Sequence, residues 1–255
     1  MVRSLDLLDL VWGFGLVAIS IGLAQWQKLA ISGQLLLAGV RSTFQLLVMG
    51  FGLQIIWQID RPLVSIGGIL LMVIATTIAT SNRISDRIKL LYPIVGGAIL
   101  AGLTVALGYT IFVVIKPSNW HQPQYLLAVA GISLGYLLNS TAVAGERLNS
   151  SIEQHRTEIE VRLSLGASVA ESIAVYRTAA IKAAILPTIE TLSISGLVTI
   201  PGFMTGELLG NVSPLNAAGY QIVIFLAVLA GNMVAAILVT GGIIGRYFNQ
   251  QDQLI

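Results

Sequence analysis

The stretch that decides the fold is EIEVRLSLGASVAESIAVYRTAAIKAAILP, from Glu158 to Pro187. It is the long polar interval of a chain that is otherwise apolar, and ten charged residues fall between Glu146 and Lys182. Five of them are basic and five acidic. A balanced charge of this kind is typical of a solvated loop, but it also fits a surface that binds a soluble partner.

The middle of the interval, LSLGAS at residues 163–168, ends one helical pattern and begins another. Ser168 and Glu171 form a Ser-x-x-Glu capping box, which predicts a new helix from Val169. Two helices that meet at a Gly-Ala-Ser corner make a compact projection. We therefore predict that residues 146–178 form a projection suited to docking a soluble partner.

Outside this interval, the composition is that of a membrane protein. The 255 residues are 55% hydrophobic and only 10% charged, and their mean hydropathy is +0.84, whereas soluble domains carry roughly 25% charged residues. Continuous apolar runs of about 18 residues or more recur, which favours helices over a β-barrel. We predict an all-α polytopic membrane protein with a single transmembrane domain, residues 1–255.

About seven transmembrane helices are predicted, at residues 7–25, 35–57, 63–80, 93–115, 124–143, 179–200 and 217–243. If the N-terminus lies outside and the C-terminus in the cytoplasm, three basic residues lie outside (Arg3, Arg61 and Lys116), and the cytoplasmic side holds Lys28, Arg83, Arg87, Lys89, Arg147, Arg156, Arg162, Arg177, Lys182 and Arg246. This excess satisfies the positive-inside rule. The polar interval is then cytoplasmic, and the protein is expected in the plasma (inner) membrane with lipid around it.

The sequence lacks the motifs that several kinds of binding and catalysis require. There is no cysteine and no phosphate-binding Gly-rich loop, so any ATP must bind to another chain. The two histidines, His121 and His155, lie far apart, and no metal-binding His pair or Gly-x-Ser-x-Gly elbow is present. An intramembrane enzyme is therefore disfavoured, and nothing indicates nucleic-acid binding.

Two charged residues fall within predicted spans, where an ionisable group is costly and faces a bundle interior or a water-filled cavity. Glu190, beside Thr191, is the best candidate for a cation or proton site and for a metal ligand. The alternative is a structural hydrogen bond. Arg41, one turn before Gln45, either pairs with Glu190 or extends its side chain to the interface.

The segment GLVTIPGFMTGELLG, residues 196–210, is rich in helix-breaking and small residues. Pro201 removes a backbone donor, while Gly202, Gly206 and Gly210 recur every four residues and permit close helix approach. We predict either a packing face or a broken helix that lines the substrate path, with Pro187 and Pro201 as hinge or packing positions. Met204 is a possible soft ligand, and Glu207 is expected in an exposed loop.

Five stretches resemble the iron-export ABC permeases of bacteria, whose plant relatives include the aluminium-tolerance half-transporters. They span essentially the whole chain and read GVRSTFQLL (39–47), YLLNSTAVA (136–144), LSLGAS (163–168), AAILPTIETLSISGLVTIPGFMTGELLG (183–210) and NAAGYQIVIF (216–225). Asn139 matches an asparagine of that family.

The resemblance implies a homodimeric permease that pairs with a separate cytoplasmic ABC ATPase. ATP and Mg²⁺ would be bound by that ATPase, and this chain would bind no cofactor. Residues 146–178 would be the cytoplasmic coupling segment that docks the ATPase, and its coupling residues would be Glu160, Arg162, Leu165, Gly166, Ala167 and Ser168. Asn139 would join the substrate path. Bacterial members are linked to iron efflux and plant members to a nucleotide sugar.

The leading hypothesis is the transmembrane subunit of an ABC exporter, carrying iron or another metal cation. Two alternatives stay open. One is ABC export of a small organic solute such as a nucleotide sugar. The other is a standalone channel or secondary transporter in which Glu190 is the ion or proton site.

Overall fold

The structure, a computed structural model, describes residues 7–59, 61–85, 88, 90–116, 123–249 and 253–254. The chain divides into two compact units, Met1–Asp60 and Arg61–Ile255. Four charged or histidine residues named above lie outside the described residues: Arg3, Arg87, Lys89 and His121.

The first unit is a pair of helices, α1 (Leu7–Trp26) and α2 (Ser32–Ile59). Their connection turns sharply because Lys28 and Ala30 both adopt left-handed backbone conformations, with φ of 53° and 54°. The helices pack closely at Gly39, where an added Cβ would lie 3.3 Å from the Val17 side chain. Most of the remaining side chains of both helices are exposed apolar groups, as expected of a surface that faces lipid.

The second unit is a helical bundle with two short helices. Its elements are α3 (Pro62–Ile84), α4 (Leu91–Gly108) with a π-helical continuation (Tyr109–Ile115), α5 (Pro123–Gln154), α6 (Arg156–Ser164), α7 (Val169–Ile194), α8 (Gly202–Leu209) and α9 (Pro214–Tyr247). Helices α3 and α9 begin with proline at the first helical position, where a missing N–H is harmless. Among the described residues, the only β pairing is two isolated bridges.

The core of this unit lies where α4, α5 and α9 meet, with α3 and α7 packed against α5. Its most buried side chains include Val95, Ile99, Leu137, Leu148, Val239 and Ile243. Helices α4 and α9 come close enough for backbone contact at Gly102 and Gly231. A Cβ added to either glycine would lie 2.7 Å from the other's carbonyl oxygen.

Six helices among the described residues are long and apolar enough to cross a membrane: α1, α2, α3, α4 with its π-helical continuation, α5 and α9. The all-helical, multi-pass prediction is confirmed, although seven spans were expected. The difference is α7, whose 26 residues include Arg177, Lys182 and Glu190. It nevertheless packs beside α5 and α9 in the bundle. The N-outside orientation stays a prediction.

Two predicted boundaries were wrong. The fifth span was expected to end at residue 143, but α5 continues to Gln154, so the polar interval begins as helix. The span expected at 179–200 belongs to a helix that begins at Val169, as the capping box predicts, but ends at Ile194 rather than at residue 200. Hydropathy marks only the apolar part of a helix. At 32 residues, α5 is about 48 Å long and exceeds a hydrocarbon core of about 30 Å.

Candidate functional site

The corner between α6 and α7 is a Schellman turn centred on Gly166. The Gly166 N–H donates to the Leu163 carbonyl at 2.9 Å, and the Ala167 N–H donates to the Arg162 carbonyl at 3.1 Å. Gly166 has φ of 90°, a conformation that disfavours residues with a side chain. The preceding Leu165 is 83% exposed, so an apolar side chain projects from the tip of the corner.

The predicted capping box is confirmed and begins α7. The Ser168 hydroxyl accepts from the Glu171 N–H at 3.3 Å, and the Glu171 carboxylate accepts from the Ser168 N–H at 2.8 Å. Hydrogen bonds from the Ser168 side chain and backbone lower the pKa of Glu171. The carboxylate therefore stays ionised at neutral pH and favours the helix start.

Helix α6 carries two pairs of opposite charge, four residues apart. Arg156 contacts Glu160 at 3.0 Å, and Arg162 contacts Glu158 at 2.7 Å. The Tyr176 hydroxyl of α7 also donates to Glu158 at 2.8 Å. This hydrogen bond, followed by the hydrogen bond and charge of Arg162, lowers the pKa of Glu158. Glu158 thus links α6 to α7 and holds the corner in place.

A cavity of about 310 Å³ lies between α5 and α7, farther along α7 from the corner. Both helices present residues spaced i, i+3, i+4 and i+7, so one stripe of each helix lines it. The lining residues are Tyr136, Asn139, Ser140 and Val143 from α5 and Ala184, Pro187, Thr188 and Thr191 from α7. The cavity thus brings together three predicted positions: Asn139, Pro187 and Thr191.

The wall of the cavity is mainly apolar, with a few hydroxyl and amide groups and no charged side chain among its lining residues. Ser140 is 3% exposed, and its hydroxyl has no hydrogen-bond partner among the described residues. The Thr188 hydroxyl accepts from the Asn232 amide at 2.9 Å. Pro187 has no N–H, so the backbone carbonyl one turn earlier loses its helical partner. The wall therefore offers the hydroxyl groups of Ser140, Thr188 and Thr191 to a hydrogen-bonding occupant.

Asn139 is held at the side of this cavity by a contact from another helix. Its Oδ1 accepts from Arg83 Nη1 at 3.1 Å, and its Nδ2 donates to the Gly135 carbonyl at 3.4 Å. The guanidinium of Arg83 is exposed at the end of α3. Asn139 thus brings a positive charge close to a cavity whose own lining is uncharged.

Glu190 does not line the cavity. Its side chain is exposed on α7, beside the lining residue Thr191, and no hydrogen bond or ion pair reaches it within the described residues of the second unit. No group of three His, Asp or Glu side chains that could hold a metal ion occurs among the described residues. Arg41 and Gln45 are exposed on α2, in the first unit, and the Arg41–Glu190 pair stays a prediction.

The glycine and proline segment after α7 forms a break and a short helix. Gly196 has φ of 83°, and its N–H donates to the Thr199 carbonyl at 2.9 Å. Pro201 then precedes α8, which contains Gly202 and Gly206 and ends before Gly210. Within the described residues, a Cβ added at Gly202 or Gly206 would meet nothing within 4 Å. This glycine face is therefore open.

A buried glutamine of α9 forms a hydrogen bond with helix α8. Gln221 is 5% exposed, and its side-chain oxygen accepts from the Met204 N–H at 3.3 Å. It thereby satisfies one of the free donors at the start of α8. Glu207, expected in an exposed loop, is instead half-buried on α8, and burial raises its pKa. The helix turns this side chain toward protein, which composition alone did not indicate.

Several polar residues of the bundle had no signal of their own in the sequence. Arg177, placed among the cytoplasmic residues, reaches from α7 to the Ile237 carbonyl at 3.3 Å and to the Thr240 hydroxyl at 3.4 Å. Tyr136, Ser140 and Thr188 line the cavity. Tyr136 and Ser140 are four residues apart and share one face of α5, but the sequence did not show which face packs against α7.

Comparison with known proteins agrees with the resemblance seen in the sequence. The profile of a family described as "Uncharacterised protein family (UPF0014)" matches residues 7–248. The chain is 41% identical over 252 residues to UPF0014 membrane protein slr1647 of Synechocystis, covering 99% of this chain and 97% of that protein. No solved structure is significantly similar to the chain.

Two further relatives have more informative names. UPF0014 membrane protein STAR2 of rice, Oryza sativa subsp. japonica, is 30% identical over 88% of this chain and 77% of its own length. The probable iron export permease protein FetB of Escherichia coli is 25% identical over 94% of this chain and 91% of its own length.

Proposed function

Because the chain belongs to the UPF0014 family of membrane proteins, we propose that it is the transmembrane subunit of an ABC exporter, driven by a separate ATPase. The observation that carries the proposal is that one helix joins the two candidate sites. Helix α7 begins at the capped corner and lines the cavity with Ala184, Pro187, Thr188 and Thr191. An ATPase that moves the corner would therefore move one wall of the cavity.

The geometry of the corner supports docking to a soluble protein. Leu165 is 83% and Val161 52% exposed, and the ion pairs of α6 and the capping box hold the backbone beneath them. A rigid backbone with a projecting apolar side chain loses little conformational entropy on binding. Glu160, Arg162, Gly166, Ala167 and Ser168 surround that side chain in the proposed interface.

For the cargo, we propose iron or another metal cation, in line with the name of the Escherichia coli relative. Binding in a transport cavity has to be weak enough to permit release. The hydroxyl oxygens of Ser140, Thr188 and Thr191 are hard ligands of this kind, and Asn139 Oδ1 would join them on release from Arg83. Glu190 would lie on the approach to the cavity, where its exposed carboxylate attracts cations.

One observation favours a second cargo, a small organic solute such as a nucleotide sugar. The lining of the cavity is uncharged and includes the aromatic Tyr136 beside several hydroxyl groups. Binding sites for organic ligands combine apolar walls with a few hydrogen-bonding groups in this way. The two cargoes are separated by comparing uptake of Fe²⁺ and of a nucleotide sugar into inside-out proteoliposomes.

The test of the whole proposal is pairwise co-expression with each ABC ATPase subunit of the source organism that lacks its own transmembrane helices. We expect one of them to co-purify with the wild type and to hydrolyse ATP. Gly166→Trp and Leu165→Asp should both abolish the association. Leu197→Asp is the control, since Leu197 is equally exposed, at 88%, beyond the other end of α7. If no ATPase associates, the exporter assignment is wrong.

Transport separates the roles of the two candidate cargo residues. Asn139→Leu should lower ATP-dependent transport about tenfold or more if the cavity binds cargo, because a lost polar contact of about 1.4 kcal/mol is a factor of ten. Glu190→Gln should raise the apparent KM for a cation but not for an anionic nucleotide sugar. Both variants should retain the ATPase. Unchanged transport in Asn139→Leu would place the cargo path elsewhere.

A further inference from the structure

The chain folds back on itself after α9. Phe248 pairs with Leu254 in an isolated antiparallel bridge. The Asn249 N–H donates to the Gln253 carbonyl at 3.0 Å, and the Gln253 N–H donates to the Asn249 side-chain oxygen at 2.8 Å. We refer to the described residues 248–249 and 253–254 as the C-terminal turn.

The C-terminal turn contacts the coupling segment. The Leu254 side chain packs against the hydrophobic core, and its carbonyl accepts from Arg156 Nη2 at 3.4 Å. The same guanidinium contacts Glu160 through Nε at 3.0 Å. Arg156 therefore connects the turn to α6 and fixes the distance between the two.

A groove of about 710 Å³ lies between the C-terminal turn and the corner. Its lining residues are Glu160, Leu163, Ser164, Gly166, Ala167, Ser168, Glu171, Gln253 and Leu254. Two of these are acidic and none is basic. Arg156 occupies one oxygen of Glu160, and Ser168 occupies one oxygen of Glu171. Among the described residues, the second oxygen of each carboxylate has no hydrogen-bond partner.

We propose that this groove receives a basic side chain of the ATPase subunit, and that the C-terminal turn is one wall of the docking site. The inference rests on the proposed function, since it specifies how the coupling segment binds its partner. Charge complementarity identifies the occupant. Two carboxylates with free oxygens attract a guanidinium or ammonium group, while the exposed Leu165 at the tip supplies apolar contact beside it.

The test places a positive charge in the groove. Gln253→Arg puts a cation where the partner's basic group would bind, and should raise the Kd for the ATPase identified by co-expression about tenfold at low salt. The difference from the wild type should shrink as salt rises, since the screening length falls from about 10 Å at 0.1 M to about 3 Å at 1 M. Binding is measured with both proteins purified, the permease in detergent.

Two variants serve as matched controls. Gln154→Arg adds the same charge at an exposed glutamine of the nearby end of α5, which does not line the groove. Gln253→Glu places the opposite charge at the same position, keeps the oxygen that accepts from Asn249 Nδ2 at 3.0 Å, and should lower the Kd below that of the wild type. Gln154→Arg should bind the ATPase within about twofold of the wild type.

The outcomes distinguish this inference from the proposal beneath it. If Gln253→Arg binds as the wild type does while Gly166→Trp loses the ATPase, the corner docks the ATPase but the groove does not receive a basic group. If Gln154→Arg weakens binding as much as Gln253→Arg, the effect is general repulsion and the groove is not specific. If Gly166→Trp retains the ATPase, the proposed docking at the corner is itself wrong.

Discussion

The Asn232 side-chain amide of α9 donates to the Thr188 hydroxyl of α7 at 2.9 Å, and both side chains are buried. The contact lies one residue after Pro187, where α7 has lost a backbone hydrogen bond. It thus ties the weakened turn of α7 to the bundle core. The Asn232 side-chain oxygen, Oδ1, has no hydrogen-bond partner among the described residues.

We expect a double-mutant cycle of Asn232→Leu and Thr188→Val to give a coupling free energy of unfolding of about 0.6 to 1.7 kcal/mol, the range of hydrogen bonds between membrane helices. The measurement is unfolding in mixed detergent micelles. Thr188→Val combined with Gln221→Leu is the control, because Gln221 contacts Met204 instead. A coupling free energy no larger than that of the control pair would show that this hydrogen bond does not stabilise the bundle.

The close approach of α4 and α9 predicts opposite effects for two glycine substitutions on α4. Gly102→Ala should destabilise the protein by about 1 to 3 kcal/mol, because the new Cβ would lie 2.7 Å from the Gly231 carbonyl oxygen and force the helices apart. Gly97→Ala, where nothing described lies within 4 Å, should stabilise it by up to about 1 kcal/mol through helix propensity. Equal changes in the free energy of unfolding in the two variants would contradict the close packing of α4 against α9.

The capping box predicts a pH-dependent contribution to stability from Glu171. Its pKa in the folded protein is below the ordinary value of 4.5. The contribution is therefore fully present above that value and disappears as the pH falls through the lowered pKa. The difference in thermal midpoint between the wild type and Glu171→Gln, which retains a capping side chain, should follow this course.

Ser168→Ala provides the control for that titration. This substitution removes the hydroxyl that lowers the pKa of Glu171. The pH at which the thermal midpoints of Glu171→Gln and its parent become equal should therefore rise when both proteins carry Ser168→Ala. Convergence at the same pH in both backgrounds would show that the Ser168 hydroxyl does not lower the pKa of Glu171.

The open glycine face of α8 predicts that bulky residues there affect association rather than folding. Gly202→Leu and Gly206→Leu should leave the thermal midpoint within a few degrees of the wild type, since an added Cβ meets no described atom within 4 Å. If the proposed homodimer forms through this face, both variants should shift the protein to monomer in detergent. Gly67→Leu, at an exposed and equally open glycine of α3, is the control. A dimer fraction unchanged in all three variants would exclude the α8 face as the interface.

What the sequence by itself determined is local. The start of α7 follows from Ser168 and Glu171, because a capping box is made by residues three apart and needs no distant partner. The turn at Gly166 follows from the only residue type that adopts a positive φ without strain. The spans follow from hydropathy, with errors where polar helix continues beyond the apolar run, as in α5 and α7.

Only the tertiary structure decided which residues meet. Asn139 faces Thr191 across the cavity while Glu190, one residue away, points outward, because a helix turns its side chains by about 100° per residue and packing sets the rotation. Leu254 reaches α6 across a long separation in sequence, and Gly231 reaches Gly102. Such contacts depend on which helices pair and at what rotation, and no local pattern encodes that choice.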